Sequence, residues 1–291
     1  MKFSPSFLQS LERLPSRLQF RYSPHSQNEG EKSIPHRFGG GTEFSQHRKY
    51  NPGDDIRYID WNLYARFQSF YVKTFLTEES QTVHVLIDAS RSMDFGSPRK
   101  FDSALSLAAG LTLLSLRALD RVCVYFWDTS ISRRLVNLRG VPSFPKIIRF
   151  LESAMPCDRA TDLPHSCRDL INENAIPGPI WIISDFYDTD QFDEAFSLLE
   201  HHRFHPLPIR IIDRSEISLM QSGFCTLIDS ESGYSEPFLA TKSQKKEYLK
   251  RFERLTLELR KSAQFHGITL RELMTDSSTE GFIMKLLRDF Q

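Results

Sequence analysis

Two periodicities alternate along this chain. In Val83–Asp88 and Pro179–Ser184 nearly every position is apolar, the pattern of a strand covered on both faces. By contrast, Phe101, Leu105, Ala108, Leu111 and Ser115 recur at helical spacing. The alternation predicts strands at Val83–Asp88, Val122–Trp127, Ile131–Val136, Pro179–Ser184 and Pro206–Ile212. Ile131–Val136 is expected at an edge. Between them it predicts helices at Phe101–Leu119, Phe144–Met155, Asp162–Ala175 and Gln191–Arg203. Pro164 falls in the first turn of its helix, where a missing N–H leaves no bond unmade. Strands and helices in this order imply right-handed crossovers. The expected fold is α/β, a doubly wound, mostly parallel sheet with helices on both faces.

The flanking segments read differently. Phe7, Leu8, Leu11 and Leu14 suggest a short helix at the start, and "YSPHSQNEGEKSIP" reads as a loop. Residues 37–80 hold a Gly triplet, a Pro-Gly turn and an extended pattern at Phe70, Val72 and Phe75, which suggest a smaller β-rich subdomain. After residue 213 come a hairpin around "CTLIDSESGYSEPF", a long amphipathic helix at Lys242–Phe265, and a strand, loop and helix. The expected division is 1–36 (helix and loop), 37–80 (β-rich), 81–213 (the α/β domain) and 214–291 (hairpin and helical extension).

Composition removes several classes of function. Lysine plus arginine and aspartate plus glutamate both number 37, so there is no basic surplus for a nucleic-acid partner. No apolar run approaches the ~20 residues of a membrane span, and the mixed-charge N-terminus is not a signal peptide. Cys123, Cys157, Cys167 and Cys225 form no C-x-x-C pair. A reducing, cytoplasmic setting is expected. Cys157, His165 and Cys167 match no common zinc spacing. Neither a Walker loop nor a G-x-S-x-G elbow occurs.

The chemistry gathers at strand ends. "VHVLIDASRSM" ends a buried strand in Asp88, with Ser90 and Ser92 at alternate positions after it. Alone, this is an ordinary polar turn with hydroxyl caps. "RATDLP" adds Thr161 before a helix, and "WIISDFYD" adds Asp185 at the end of the second buried strand. In a doubly wound sheet that strand lies beside the first across the switch point, where ligands bind. All five residues offer oxygen, which selects Mg²⁺ or Mn²⁺ over zinc or copper. Two aspartates there would repel each other, and a divalent cation removes that cost. Water or a foreign carboxylate would complete the coordination. Because a weakly held ion stabilises little, Asp185→Ala is expected to leave the fold intact.

This five-residue set resembles the metal-ion-dependent adhesion site of von Willebrand factor A domains. With "RKYNPGDDIRYIDWNLYAR" and "VKTF" upstream, the chain resembles the bacterial family called domain of unknown function 58, over roughly residues 37–290. That family joins a β-rich segment to a von Willebrand factor A-like domain. The resemblance implies direct metal ligation by Ser90 and Ser92, with Thr161, Asp88 and Asp185 acting directly or through water. It implies a non-enzymatic, Mg-dependent protein-protein interaction module, and as partner a MoxR-type AAA+ ATPase in complex assembly or a chaperone-like role. The alternative is a metal-dependent, phosphatase-like hydrolase using a metal-bound water.

Other polar clusters have plainer readings. Asp54, Asp55, Arg57, Asp60, Trp61 and Arg66 crowd a Pro-Gly turn. They form either an internal network, with Arg57 or Arg66 forking onto an aspartate to pin the segment to the main domain, or a partner-docking surface. In "DFYDTDQFDE" the acids suit a helix first turn, with Asp190 as N-cap. His201, His202 and His205 decorate a helix end. The Lys/Arg-rich face of residues 242–261 reads as solvated.

Overall fold

A strand apolar on both faces must lie inside a covered sheet, and the chain provides several. The computed structural model describes residues 3–12, 14, 43–76, 80–157, 161–187, 191–217, 223–228 and 235–289. In chain order the elements are α1 (Pro5–Glu12), β1 (Glu43–Lys49), α2 (Trp61–Phe67), β2 (Tyr71–Leu76), β3 (Thr82–Asp88), α3 (Lys100–Arg117), β4 (Arg121–Trp127) and β5 (Ile131–Arg139). Then follow α4 (Phe144–Glu152), α5 (Leu163–Asn172), β6 (Pro179–Ser184), α6 (Phe192–His201), β7 (His205–Ile212) and α7 (Arg214–Ile217). The chain continues through β8 (Gly223–Ile228), β9 (Ser235–Ala240), α8 (Lys242–Phe265), β10 (Arg271–Met274) and α9 (Thr279–Asp289). They fall into two compact units, Met1–Arg21 with Gln81–Gln291, and Tyr22–Ser80.

The larger unit is built on a six-stranded sheet in the order β10-β7-β6-β3-β4-β5. All neighbours are parallel except β4 and β5. The expected doubly wound, mostly parallel α/β fold is therefore the one adopted, with Ile131–Arg139 as the antiparallel edge. β3 is flanked by β4 on one side and β6 on the other, so the crossovers diverge at β3 and β6. That divergence opens a crevice at their carboxyl ends.

The pleat divides the core in two. Val83, Val85 and Ile87 join a cluster with α3, α4, α1 and α9, while Leu86, Ile180 and Ile182 join one with α5, α6 and Leu259 of α8. α3 departs from the sequence expectation of a single buried face, since every residue from Ser103 to Leu116 is buried. α1 and α9 cover what would have been its outer side. Arg117 donates to the carbonyls of Leu11 and Leu14, and a Cβ at Gly110 would overlap Ile283 of α9. α8 behaves as expected. It is mostly exposed, starts at a Thr241–Gln244 capping box and buries Leu259 and Ala263. β8 and β9 pair as the expected hairpin.

In the smaller unit β1 and β2 pair antiparallel, with Lys49 opposite Tyr71 and Arg48 opposite Val72. The chain between them carries α2, so the segment is a helix-bearing hairpin rather than a run of strands.

Candidate metal centre

The opening turn is built by Asp88. Its Oδ1 accepts the Ser90 N–H at 2.8 Å, closing an Asx turn that directs the chain into a 3-10 turn, Arg91–Met93. Its Oδ2 accepts the Ser184 hydroxyl at 2.6 Å, across the β3–β6 pair. Asp88 is wholly inaccessible, and burial, then the charge of Asp185, pushes its pKa up to about 7. The Ser90 and Ser92 hydroxyl oxygens lie 2.9 Å apart.

Thr161 sits on the loop entering α5. Its carbonyl accepts from Gln191 Nε2 at 3.3 Å, and Gln191 Oε1 accepts from Leu163 N at 2.9 Å. Asp162 N donates to the Asp128 carbonyl at 2.9 Å, and the Asp162 side chain caps α5. Cys157 N donates to the Ala89 carbonyl at 2.6 Å. The loops after β3, β4 and α4 are thus tied together by backbone bonds.

Asp185 follows β6 and is buried, but it is not bare. Lys100, the first residue of α3, donates from Nζ to Asp185 Oδ2 at 2.7 Å and to Glu216 Oε1 at 2.7 Å. Only 1% of the Lys100 side chain is exposed. Burial alone would lower its pKa, but the charges of Asp185 and Glu216 outweigh this and leave it raised. Its ammonium also lies 4.9 Å from the Tyr187 ring centroid. Arg210 Nε donates to the Asp185 carbonyl at 3.0 Å, and the Arg210 guanidinium packs over Phe252 of α8.

Ser92, Thr161, Ser184 and Asp185 line one cavity of about 310 Å³, together with Trp127, Leu163, Phe186, Tyr187, Gln191 and Phe192. Of the five residues expected as ligands, Ser92, Thr161 and Asp185 thus meet at one opening. Ser90 joins through the Ser92 hydroxyl, and Asp88 stands behind with both oxygens engaged. As expected of two neighbouring aspartates, the charge of Asp185 raises the pKa of Asp88. What the sequence did not show is that Asp185 also has a cation, the Lys100 ammonium, which it shares with Glu216. Asp88 has both oxygens engaged, by the Ser90 N–H and the Ser184 hydroxyl. Among the described residues no group of three or more His, Cys, Asp or Glu could hold an ion. Any ion here therefore depends on hydroxyl oxygens, and such a hard donor set fits Mg²⁺ or Mn²⁺.

Ser184, Gln191, Lys100, Glu216 and Arg210 escaped the sequence reading. Ser184 alone carried a signal, as a hydroxyl at the end of an otherwise apolar strand. Asp190 lies outside the described residues; Gln191 occupies the N-cap position of α6 without a side-chain cap bond. Cys167 is buried in the α5 core, while the Cys157 thiol donates to the Ala89 carbonyl.

The Asp54–Arg66 segment forms local networks. Arg57 forks onto Asp55 as expected, with Nε on Oδ1 at 3.1 Å and Nη2 on Oδ2 at 2.6 Å, but the pair is local, two residues apart. Arg48 of β1 forks onto Asp54 at 2.8 and 2.7 Å, a second fork the sequence did not mark. Asp60 caps α2 and meets His47 and Lys73; the His47 hydrogen bond is the main cause holding its pKa down to about 2. Trp61 is 62% exposed and stands edge-on to Tyr64 and Phe70. Arg66 lies exposed in the last turn of α2, where a cation suits the helix dipole.

Residues 46–261 match the model of a family described as "Protein of unknown function DUF58". The chain belongs to that family. The uncharacterized protein Rv1480 of Mycobacterium tuberculosis (strain ATCC 25618 / H37Rv) is 24% identical over 242 residues, covering 82% of this chain and 76% of the relative. Among solved structures, BatB from Bacteroides thetaiotaomicron, a conserved hypothetical protein, superposes with a TM-score of 0.45 at 13% identity over 72% of this chain and 98% of its own. The manganese-loaded TRAP protein of Plasmodium vivax gives 0.37 at 15% identity, over 46% and 58%. Among the described residues no helix is long and apolar enough to cross a membrane.

Proposed function

We propose that this member of the DUF58 family is a non-enzymatic protein-binding module whose partner docks at the carboxyl ends of β3 and β6 through a divalent cation. The observation that carries the reading is the convergence of Ser92, Thr161, Ser184 and Asp185 on one cavity, with the Ser90 hydroxyl 2.9 Å from that of Ser92. Ser90, Ser92, Thr161 and Asp185 would hold Mg²⁺ or Mn²⁺, and buried Asp88 would add charge from behind. When bound, the ion supplies a point of positive charge for an acidic side chain of the partner. The chain's own residues do the rest. Asp88 and Ser184 hold the turn, Gln191 holds the Thr161 loop, and Trp127, Tyr187 and Phe192 shelter the contact from water, which strengthens charge attraction there. The family resemblance supplies the partner class, a MoxR-type AAA+ ATPase.

The test is co-purification of tagged protein from its host, with Mg²⁺ or with EDTA, for wild type, Ser90→Ala and Ser92→Ala. Partner recovery should need the ion and fall with either substitution while circular dichroism stays native. Equal recovery in all samples would overturn the metal-bridged reading. So would ion-dependent turnover of a phosphate ester lost in the same variants, which is what a hydrolase predicts.

A further inference from the structure

A carboxylate that serves a metal site is ordinarily left open to the ion, yet here Asp185 is held by a buried ammonium. Lys100 reaches Asp185 and Glu216 at 2.7 Å each, and the three side chains are 1%, 5% and 8% exposed. Tyr187 lies against the ammonium, and Glu216 Oε2 accepts the Asp213 N–H at 2.9 Å, which anchors it. With so little water around it, the ammonium charge acts on its neighbours with little screening. A divalent ion that uses Asp185 must share it with this fixed cation.

We infer that Lys100 is the residue that sets the ion affinity of the site: a built-in countercharge that keeps the binding of Mg²⁺ or Mn²⁺ weak until a partner carboxylate arrives. This rests on the proposed metal-bridged reading and deepens it. Lys100 offsets part of the charge of Asp185 before any ion arrives. The ion adds positive charge beside a cation, and an incoming carboxylate offsets that excess. Ion and partner acid therefore bind cooperatively, each weak without the other. Glu216 works in the opposite sense from Lys100, since it draws the ammonium's charge away from Asp185.

The two roles give opposite signs. Lys100→Met removes a positive charge beside the ion and should tighten Mn²⁺ binding by about tenfold or more. Glu216→Gln removes a negative charge, leaves Lys100 on Asp185 alone, and should weaken binding by about tenfold. Calorimetric titration of Mn²⁺ into the purified full chain reads both, with circular dichroism to confirm the fold. A residue that merely supported the fold would lower stability in both variants without moving affinity in opposite directions. If Lys100→Met does not fold, Glu216→Gln decides alone, and unchanged or tighter binding by that variant overturns the inference. Wild type that binds Mn²⁺ with an affinity neither variant changes overturns the role of Lys100 and leaves the metal reading standing. No binding by any of the three proteins overturns both.

Discussion

Lys100 and Asp185 should be energetically inseparable, and a double-mutant cycle in EDTA can show it. Lys100→Met leaves Asp185 and Glu216, both buried, facing each other without a cation. Removing one partner of a buried ion pair costs about 3–5 kcal/mol. Asp185→Asn is milder, because Lys100 keeps Glu216 at 2.7 Å. It should cost about 1–3 kcal/mol, the range for a lost charged hydrogen bond. In the double variant no ammonium remains to be satisfied, and Glu216 still accepts the Asp213 N–H at 2.9 Å. The double variant should therefore be more stable than the sum of the singles predicts, by on the order of 2 kcal/mol. Denaturant unfolding followed by tryptophan fluorescence is the assay, since Trp127 and Trp181 are buried in the same unit. Additivity within about 0.5 kcal/mol would mean that the two charges do not act on each other, and the electrostatic account of the site would fail. The structure adds a cost to the expectation that Asp185→Ala leaves the fold intact. A methyl group there strands one side of a buried ammonium, so a measurable loss of stability is expected.

Two further outcomes follow from groups near the site and from the sheet beneath it. Ser184→Ala removes the 2.6 Å donor to Asp88 and the acceptor for Phe186 N at 3.0 Å; a loss of about 1.5–3 kcal/mol is expected in denaturant unfolding, and a change below about 0.5 would show that the Ser184 hydroxyl does not support the turn. His84 of β3 is buried, its Nε2 donates to the Ile176 carbonyl at 2.9 Å, and burial pulls its pKa from 6.5 to about 4. Between those values the unfolded chain takes up a proton that the folded chain refuses, so this contribution is complete above pH 6.5 and is lost as pH falls toward 4. Its size is roughly 3 kcal/mol. His84→Gln keeps a donor for the carbonyl but cannot titrate, so the stability gap between wild type and variant should narrow by about that amount from pH 7 to pH 4. A gap that stays constant with pH would refute the assignment.

Much of the fold is legible in the order of residues because the signals are local. The continuous apolar runs at Val83–Asp88 and Pro179–Ser184 mark the two central strands, and these lie side by side as a doubly wound sheet requires. The same patterning places Asp88 and Asp185 at strand ends, and adjacency then brings Ser92 and Thr161 to one crevice with Asp185. Where the reading fell short, the missing partner was distant in sequence. Helical spacing in α3 shows one apolar face, but the complete burial of that helix depends on α1 and α9, which come from opposite ends of the chain. Arg57 takes Asp55, two residues away and legible in sequence, but Asp54 goes to Arg48 of β1, which no local pattern marked. The clearest case is the site itself. Lys100 begins an ordinary helix and Glu216 lies in a short turn of helix; neither has a local pattern that marks it. They stand 85 residues before and 31 after Asp185, at |i−j| of 85 for one pair and 116 for the other from Lys100. Spacing along a chain reveals which face of an element will be buried, because that depends on a repeat of a few residues. It does not reveal which charges will share a dry space, because that depends on which strand ends the sheet order sets side by side.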